Sequence, residues 1–361
     1  MMIKLFDPAI DEKEEKAITK VLQSKFWASG ASTNNVLKFE KKFAKYVNAK
    51  KCIAVNSGTA ALHLALSLLD IKNKEVILPS LTFVSTAHAI LYNGGIPKFV
   101  DVDPKTLCID PNEIKKAVSK KTKVILPVHF GGMPCNLDEI QKICVNKKIE
   151  IIEDAAHAVG TSFKNKKIGS NGMAVCFSFH PVKNLAMPTG GAITLNDKNY
   201  KKYESKLKSL RWCGITNRKG VKYDVDKVGW NYYMNEFSAV MGLEQLKKLG
   251  KLNERRKKIA KIYSNEIQID SKMPFNKECS YHIFWLQVKN RDNFIKKMAI
   301  KGIETGIHYL PVHKMSIYKG KHHLPVTDEI AKKIVSIPIH PNLSDYDVDK
   351  IIKNTNNLNK K

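Results

Sequence analysis

Met173-Ala174-Val175-Cys176-Phe177-Ser178-Phe179-His180-Pro181-Val182-Lys183-Asn184 opens from a glycine-rich turn, runs as an apolar strand and delivers a lysine just past its end. Upstream, Ile149-Glu150-Ile151-Ile152 is a second short strand that runs into Glu153-Asp154-Ala155-Ala156-His157. Strand and helix alternate around these two. Cys52-Ile53-Ala54-Val55 precedes the turn Asn56-Ser57-Gly58-Thr59 and an Ala/Leu helix over Ala60 to Leu69. Glu75 to Pro79 is a strand and Thr82 to Tyr92 a helix; Pro97 to Asp101 is a strand, followed by a helix from about Pro111 to Ser119. Val124 to Val128 is a strand, Leu137 to Asn146 a helix, and Ala192 to Leu195 a further strand. Short apolar strands separated by helices of this length predict an α/β fold, a mostly parallel sheet covered on both faces. Strand ends then gather on one edge, where ligands bind, so Asp154, Lys183 and the Ser57-Gly58-Thr59 turn should share that edge.

The rest of the chain frames this unit. Asp11 to Ser24 and Val36 to Val47 carry apolar residues at helical spacing. Asn235 to Ile267 reads as a long helix, broken near Gly250. Beyond Ser280 the pattern is strand (Ile283 to Val288), helix (Asp292 to Lys301), strand (Gly306 to Tyr309) and a Lys/Asn-rich tail. A chain of 361 residues exceeds one small core, and the expected division is a large domain over 1–245 and a smaller α+β domain over 246–361.

Composition excludes several classes. Hydrophobic residues at 43% and aromatics at 8% suit a globular protein. No run approaches the ~20 apolar residues of a membrane helix, and charge interrupts the N-terminus before a signal-peptide core could form. The seven cysteines are scattered without Cys-x-x-Cys, which argues against disulfides and zinc and fits a reducing cytoplasm. The net charge of +27 is carried by 56 lysines against five arginines, spread along the whole length. Forked phosphate and base contacts favour arginine, so neither nucleic acid nor membrane is an expected partner.

Taken alone, Lys183 would be a solvated surface charge and Asp154 a helix cap. Together, at the ends of two strands, an amine and a carboxylate suit a pyridoxal 5'-phosphate (PLP) site. The lysine bonds the cofactor covalently and the carboxylate keeps the pyridine nitrogen protonated. Ser57-Gly58-Thr59 starts a helix directly after a strand. That is either a plain N-cap or an anion cradle, since Gly58 allows close approach and helix N-termini favour phosphate. No Gly-x-x-x-x-Gly-Lys-Ser/Thr or Gly-x-Gly-x-x-Gly motif is present.

Four ordered motifs resemble the DegT/DnrJ/EryC1/StrS aminotransferases. They are Asn56 to Leu66, Pro79 to Thr86, Glu153 to Gly160 and Phe177 to Asn184, and the likeness continues through Gly229 to Glu236 and Thr305 to Tyr309. The resemblance implies a PLP-dependent transferase of fold type I that moves an amino group from glutamate to a nucleotide-linked keto-sugar, a keto-6-deoxyhexose being the expected type. It implies amino sugar and polysaccharide biosynthesis as the setting. By position, Lys183 would be the Schiff-base lysine and Asp154 the partner of the pyridinium. His157 would lie near the ring's phenolic oxygen and Phe83 would stack on the ring. Gly58, Thr59 and Ser178 would hold the phosphate. Asn231 would reach the phosphate of the neighbouring subunit in a homodimer. Arg211, His308 and His313 would line the sugar-nucleotide pocket.

Two departures bear on substrate. Relatives often carry Gly-Glu-Gly-Gly after the lysine, where this chain has Pro188-Thr189-Gly190-Gly191, and often carry arginine at the place of Tyr233. Members with histidine in place of the lysine catalyse dehydration, and Lys183 argues against that branch. Two alternatives stay open at this point: amination of a non-nucleotide cyclic ketone, and a non-enzymatic paralogue that keeps the fold as a regulator.

Overall fold

Asp11 starts the first helix with a capping box. Its carboxylate accepts from the Lys13 N–H while Glu14 accepts from the Asp11 N–H, so α1 (Glu12–Ser24) begins where the sequence places it. The computed structural model describes residues 2–145 and 147–359; the last residue of the helix expected to end at Asn146, and the last two lysines of the tail, lie outside them. After α2 (Asn34–Val47) come β1 (Lys51–Val55), α3 (Gly58–Leu66), β2 (Glu75–Pro79), α4 (Ser85–Tyr92), β3 (Ile96–Val100), α5 (Pro111–Ala117), β4 (Thr122–Ile125), α6 (Leu137–Cys144) and β5 (Glu150–Asp154). A short hairpin of β6 (Ser162–Phe163) and β7 (Lys166–Lys167) leads to β8 (Ala174–Ser178), β9 (Gly191–Leu195) and α7 (Tyr200–Leu210). Then follow β10 (Ile215–Lys219), β11 (Lys222–Val225), α8 (Glu236–Glu266), β12 (Phe284–Gln287), α9 (Arg291–Ile300), α10 (Pro325–Lys333), β13 (Ile334–Ile337) and α11 (Asp345–Asn359). Among the described residues no helix is long and apolar enough to cross a membrane.

The main sheet has seven strands in the order β1-β9-β8-β5-β4-β2-β3. Pairs β2–β3, β2–β4, β4–β5 and β5–β8 are parallel, and β9 lies antiparallel between β8 and β1. Strand β1 therefore runs with β8, and the C-terminal ends of β1, β5 and β8 share an edge, as expected. The two faces are built by alternation. Ile53 and Val55 of β1, with Ala174 and Cys176 of β8, join the cluster under α3 and α4. Cys52 and Ala54, with Val175 and Phe177, join the cluster under α2 and the start of α8. A period-2 strand with both sets apolar must be covered twice, which is why helices lie on both sides.

Three expectations change. Gly250 does not break the long helix, because α8 runs unbroken from Glu236 to Glu266 and so passes through the expected domain boundary at 245 and 246. A lone glycine weakens a helix by only about 1 kcal/mol, and α8 packs against α1 and α2. Gly306 to Tyr309 forms no strand; Gly306 makes a single bridge to Ser336. The segment expected as a polar tail holds α10, β13 and α11, and β13 pairs antiparallel with β12 in the C-terminal part. The hairpin of β10 and β11 was not expected either.

Arg211, expected in the substrate pocket, is fully buried inside the fold. Its Nη1 donates to Glu40 Oε1 at 2.6 Å and to the Ala54 carbonyl at 2.8 Å, while the Ala54 N–H donates to the same Glu40 oxygen at 2.9 Å. The ion pair thus ties α2 to β1 and to the end of α7. Removing one partner of a buried pair strands the other charge. Glu40→Ala should lower the unfolding free energy by about 3–5 kcal/mol in urea titrations, whereas Glu40→Ala with Arg211→Leu should recover part of that loss.

Candidate active site

The edge where β1, β5 and β8 end opens into a cavity of about 310 Å³. Seven expected residues line it: Gly58, Thr59, Phe83, Asp154, His157, Ser178 and Lys183. Each arrives for a local reason. Strand β5 ends at Asp154, whose carboxylate accepts from Thr86 Oγ1 at 2.8 Å and from the Ala156 N–H at 3.1 Å. Strand β8 ends at Ser178, and a turn then brings Lys183 back over the edge, its N–H donating to the His180 carbonyl at 2.8 Å. Ser57 caps α3 by accepting from the Ala60 N–H at 3.1 Å. A Cβ added to Gly58 would meet the Ser178 Cβ at 2.8 Å, so only glycine lets the start of α3 close against the end of β8.

Burial sets the protonation of this cavity. Asp154 is 4% exposed, and burial pushes its carboxyl upward against the Ala156 N–H, the Thr86 hydroxyl and the charge on Lys183. Burial pulls the Lys183 amine down to about 8, partly opposed by the charge on Asp154. His157 is held well below its ordinary value by burial, then by Lys183 and His308. Its Nδ1 accepts from the Gly131 N–H at 3.2 Å, so the proton sits on Nε2, 3.0 Å from Tyr309 Oη. Phe83 stands at the mouth, 54% exposed and tilted toward Tyr309 at 5.9 Å between centroids.

The residues fit the cofactor that the sequence suggests. A buried carboxylate with neutral hydrogen-bond donors complements a protonated ring nitrogen. An amine near 8 is a nucleophile at neutral pH in a way that an ordinary lysine, near 10.4, is not. The first amides of α3, with Thr59 and Ser178 beside them, form an anion cradle.

The other four expected residues lie outside the cavity lining. Asn231 is exposed; its carbonyl accepts from Asn56 Nδ2 at 3.3 Å, and it bridges Trp212 in an antiparallel pair. His308 sits behind Tyr309, bonded to Ser336 Oγ at 3.0 Å, with its ring pulled down to about 4 by burial and Lys183. His313 is buried between Ser80 Oγ at 2.6 Å and Asp328 Oδ1 at 3.1 Å. That order of acid, imidazole and hydroxyl matches a hydrolytic triad, but Ser80 is fully buried and also accepts from the His313 N–H, so the group clamps β2 to the 312–314 turn. Arg211 belongs to the ion pair already described.

Sequence reasoning missed Thr86, Tyr309 and His282 as site residues. Thr86 and Tyr309 stood inside recognised motifs without a role; His282 had no signal beyond its place in Ser280-Tyr281-His282.

Comparisons with known proteins place the chain among sugar aminotransferases. A model described as the DegT/DnrJ/EryC1/StrS aminotransferase family matches residues 8–356. The spore coat polysaccharide biosynthesis protein SpsC of Bacillus subtilis is 36% identical over 96% of this chain and 94% of its own. Spr1654 of Streptococcus pneumoniae in its PLP form superposes with a TM-score of 0.92 at 26% identity, covering 100% of this chain and 99% of that one; a PMP form also matches. PseC of Helicobacter pylori, an aminotransferase involved in pseudoaminic acid biosynthesis, gives 0.93 at 25% identity, with 100% of both chains covered.

Thr86→Val removes a neutral donor from a buried carboxylate while keeping its shape. The dissociation constant for PLP, read by absorbance titration, should rise about tenfold, the factor that ~1.4 kcal/mol corresponds to.

Proposed function

The chain belongs to the DegT/DnrJ/EryC1/StrS aminotransferase family, and we propose that it transfers the amino group of glutamate to a nucleotide-linked keto-sugar in the cytoplasm, as a homodimer. It is a PLP-dependent aminotransferase of fold type I. The substrate reading rests on the family likeness, on SpsC and PseC being proteins of polysaccharide and amino sugar biosynthesis, and on Lys183 and Asp154 lining one cavity.

PLP, when bound, supplies an electron-accepting ring that carries nitrogen between the two substrates. The residues of the chain do the rest. Asp154 holds the ring nitrogen protonated, and its neutral donors keep it anionic despite burial. Gly58, Thr59 and Ser178, which line the cavity, would hold the phosphate. Phe83, at the cavity mouth, would stack on one ring face and shield it from water. His157, fixed as the Nε2–H form by the Gly131 N–H, donates to the Tyr309 hydroxyl and would lie near the ring's phenolic oxygen. Lys183, its amine pulled down to about 8 by burial, would take the proton from glutamate's Cα at Nζ and deliver one to the sugar carbon that gains the nitrogen. Glutamate leaves as 2-oxoglutarate, and the keto-sugar leaves as an amino sugar. Asn231 is exposed and outside the cavity of its own subunit, and would reach the phosphate in the partner's site.

Borohydride treatment of the yellow holoprotein should attach the pyridoxyl group to the peptide bearing Lys183, and Lys183→Ala should be colourless. A protein that takes up no PLP would contradict the reading. Incubation with glutamate and nucleotide-linked keto-sugars should yield the mass of the amino sugar; product from free cyclic ketones alone would favour the non-nucleotide substrate. Mixing inactive Lys183→Ala and Asn231→Ala subunits should restore roughly a quarter of wild-type activity, because half the dimers are mixed and each carries one intact site. No recovery would place Asn231 in its own subunit's site.

A further inference from the structure

His282 lies on the segment leading to β12, from the C-terminal part of the chain, and is 2% exposed. Its Nε2 is 3.2 Å from Lys183 Nζ, and its own N–H donates to the Gly131 carbonyl at 2.9 Å, which fixes its backbone. Phe6 stacks on the ring at 5.3 Å with planes 19° apart, and His157 abuts it at 4.4 Å. Phe6 is itself held in place: the Leu5 N–H donates to Glu304 Oε2 at 2.8 Å, and the Lys4 carbonyl bonds His340 Nε2 at 3.1 Å. The imidazole is thus wedged between the N-terminal segment and the cavity, with one nitrogen aimed at the lysine.

We propose that His282 is the positioning residue for Lys183: its neutral imidazole accepts an N–H of the amine and so holds Nζ at the cavity in a defined direction. A protonated lysine can only donate, so Nε2 accepts and the ring proton sits on Nδ1. Nδ1 is buried without a hydrogen-bond partner among the described residues. A buried N–H left unpaired is costly, and the protein retains that cost on the side of the ring away from Lys183.

The groups that face the amine leave His282 in this role. Asp154 favours the charged amine from the end of β5, but its carboxylate is occupied by Thr86 and Ala156. His157, on the turn after β5, is committed to Gly131 and Tyr309, and His308, behind the site, to Ser336. His180 lies on the same turn as Lys183 and feels its charge. Burial, then Lys183, His157, His308 and the buried Arg256 of α8, which has no acidic partner among the described residues, keep His282 uncharged. A neutral His282 can accept from a cation, where a charged one would repel it.

The role in catalysis depends on the aminotransferase reading, but the hydrogen bond can be measured without cofactor. The full-length protein, freed of PLP, is labelled with limiting acetic anhydride from roughly pH 6 to 11, and acetylation of the Lys183 peptide is read by mass spectrometry. Wild type should show a midpoint near 8. His282→Leu deprives the ammonium of its acceptor, so the midpoint should fall by about one unit or more. His282→Gln, whose amide oxygen can accept, should restore it to within a few tenths. Should His282→Leu fail to fold, Phe6→Leu loosens the imidazole and should lower the midpoint by a smaller amount. A His282→Leu or Phe6→Leu midpoint equal to wild type, or a His282→Gln midpoint as low as that of His282→Leu, would overturn the proposal. Uptake of PLP by the same wild-type sample is scored separately, so failure of the aminotransferase reading is distinguishable from failure of this one.

Discussion

The structure depends on holding an amine and a carboxylate at a dry edge of the sheet without letting them neutralise each other. Buried ionisable groups are costly, and a lone one usually surrenders its charge. Here Asp154 is stabilised by two neutral donors, and Lys183 is depressed to about 8. The arrangement leaves the acid able to hold a cationic ring nitrogen and the amine able to act as nucleophile and base. The neutral histidines around them surround the amine without adding charge that would compete for Asp154.

The fold supplies this edge by topology. The C-terminal ends of β1, β5 and β8 share one edge because β9 turns back between β8 and β1 and leaves those two parallel. The Gly58 approach to Ser178 brings a helix N-terminus, with its excess of amides, against the same edge. The parts that orient the amine come from farther away: His282 from the C-terminal part and Phe6 from the N-terminus.

Much of this was legible because strands and motifs carry local signals. The β2 strand occupies the residues its apolar run marks, and β1, β5, β8 and β9 lie within a residue or two of expectation. The C-terminal region was harder. Val348, Ile351, Ile352 and Thr355 form a helical stripe in α11, but asparagine, lysine and aspartate around them look like a solvated tail. The hairpin of β10 and β11 is exposed on both strands, so it lacks the alternation that marks a half-buried strand. Arg211 and His313 show why charged and polar residues are hard to place from sequence. Their partners, Glu40 and Ser80, are far off in the chain, and nothing local reveals that each is already engaged.

The central claim is that Asp154 holds a positive charge on the far end of the ring that Lys183 binds. Nitrogen-15 NMR of the protein reconstituted with ring-labelled PLP reads that charge directly. The account predicts a protonated ring nitrogen in the wild type from roughly pH 6 to 9, with the proton lost in Asp154→Ala. An unprotonated nitrogen in the wild type, or a protonated one that persists in Asp154→Ala, would contradict it.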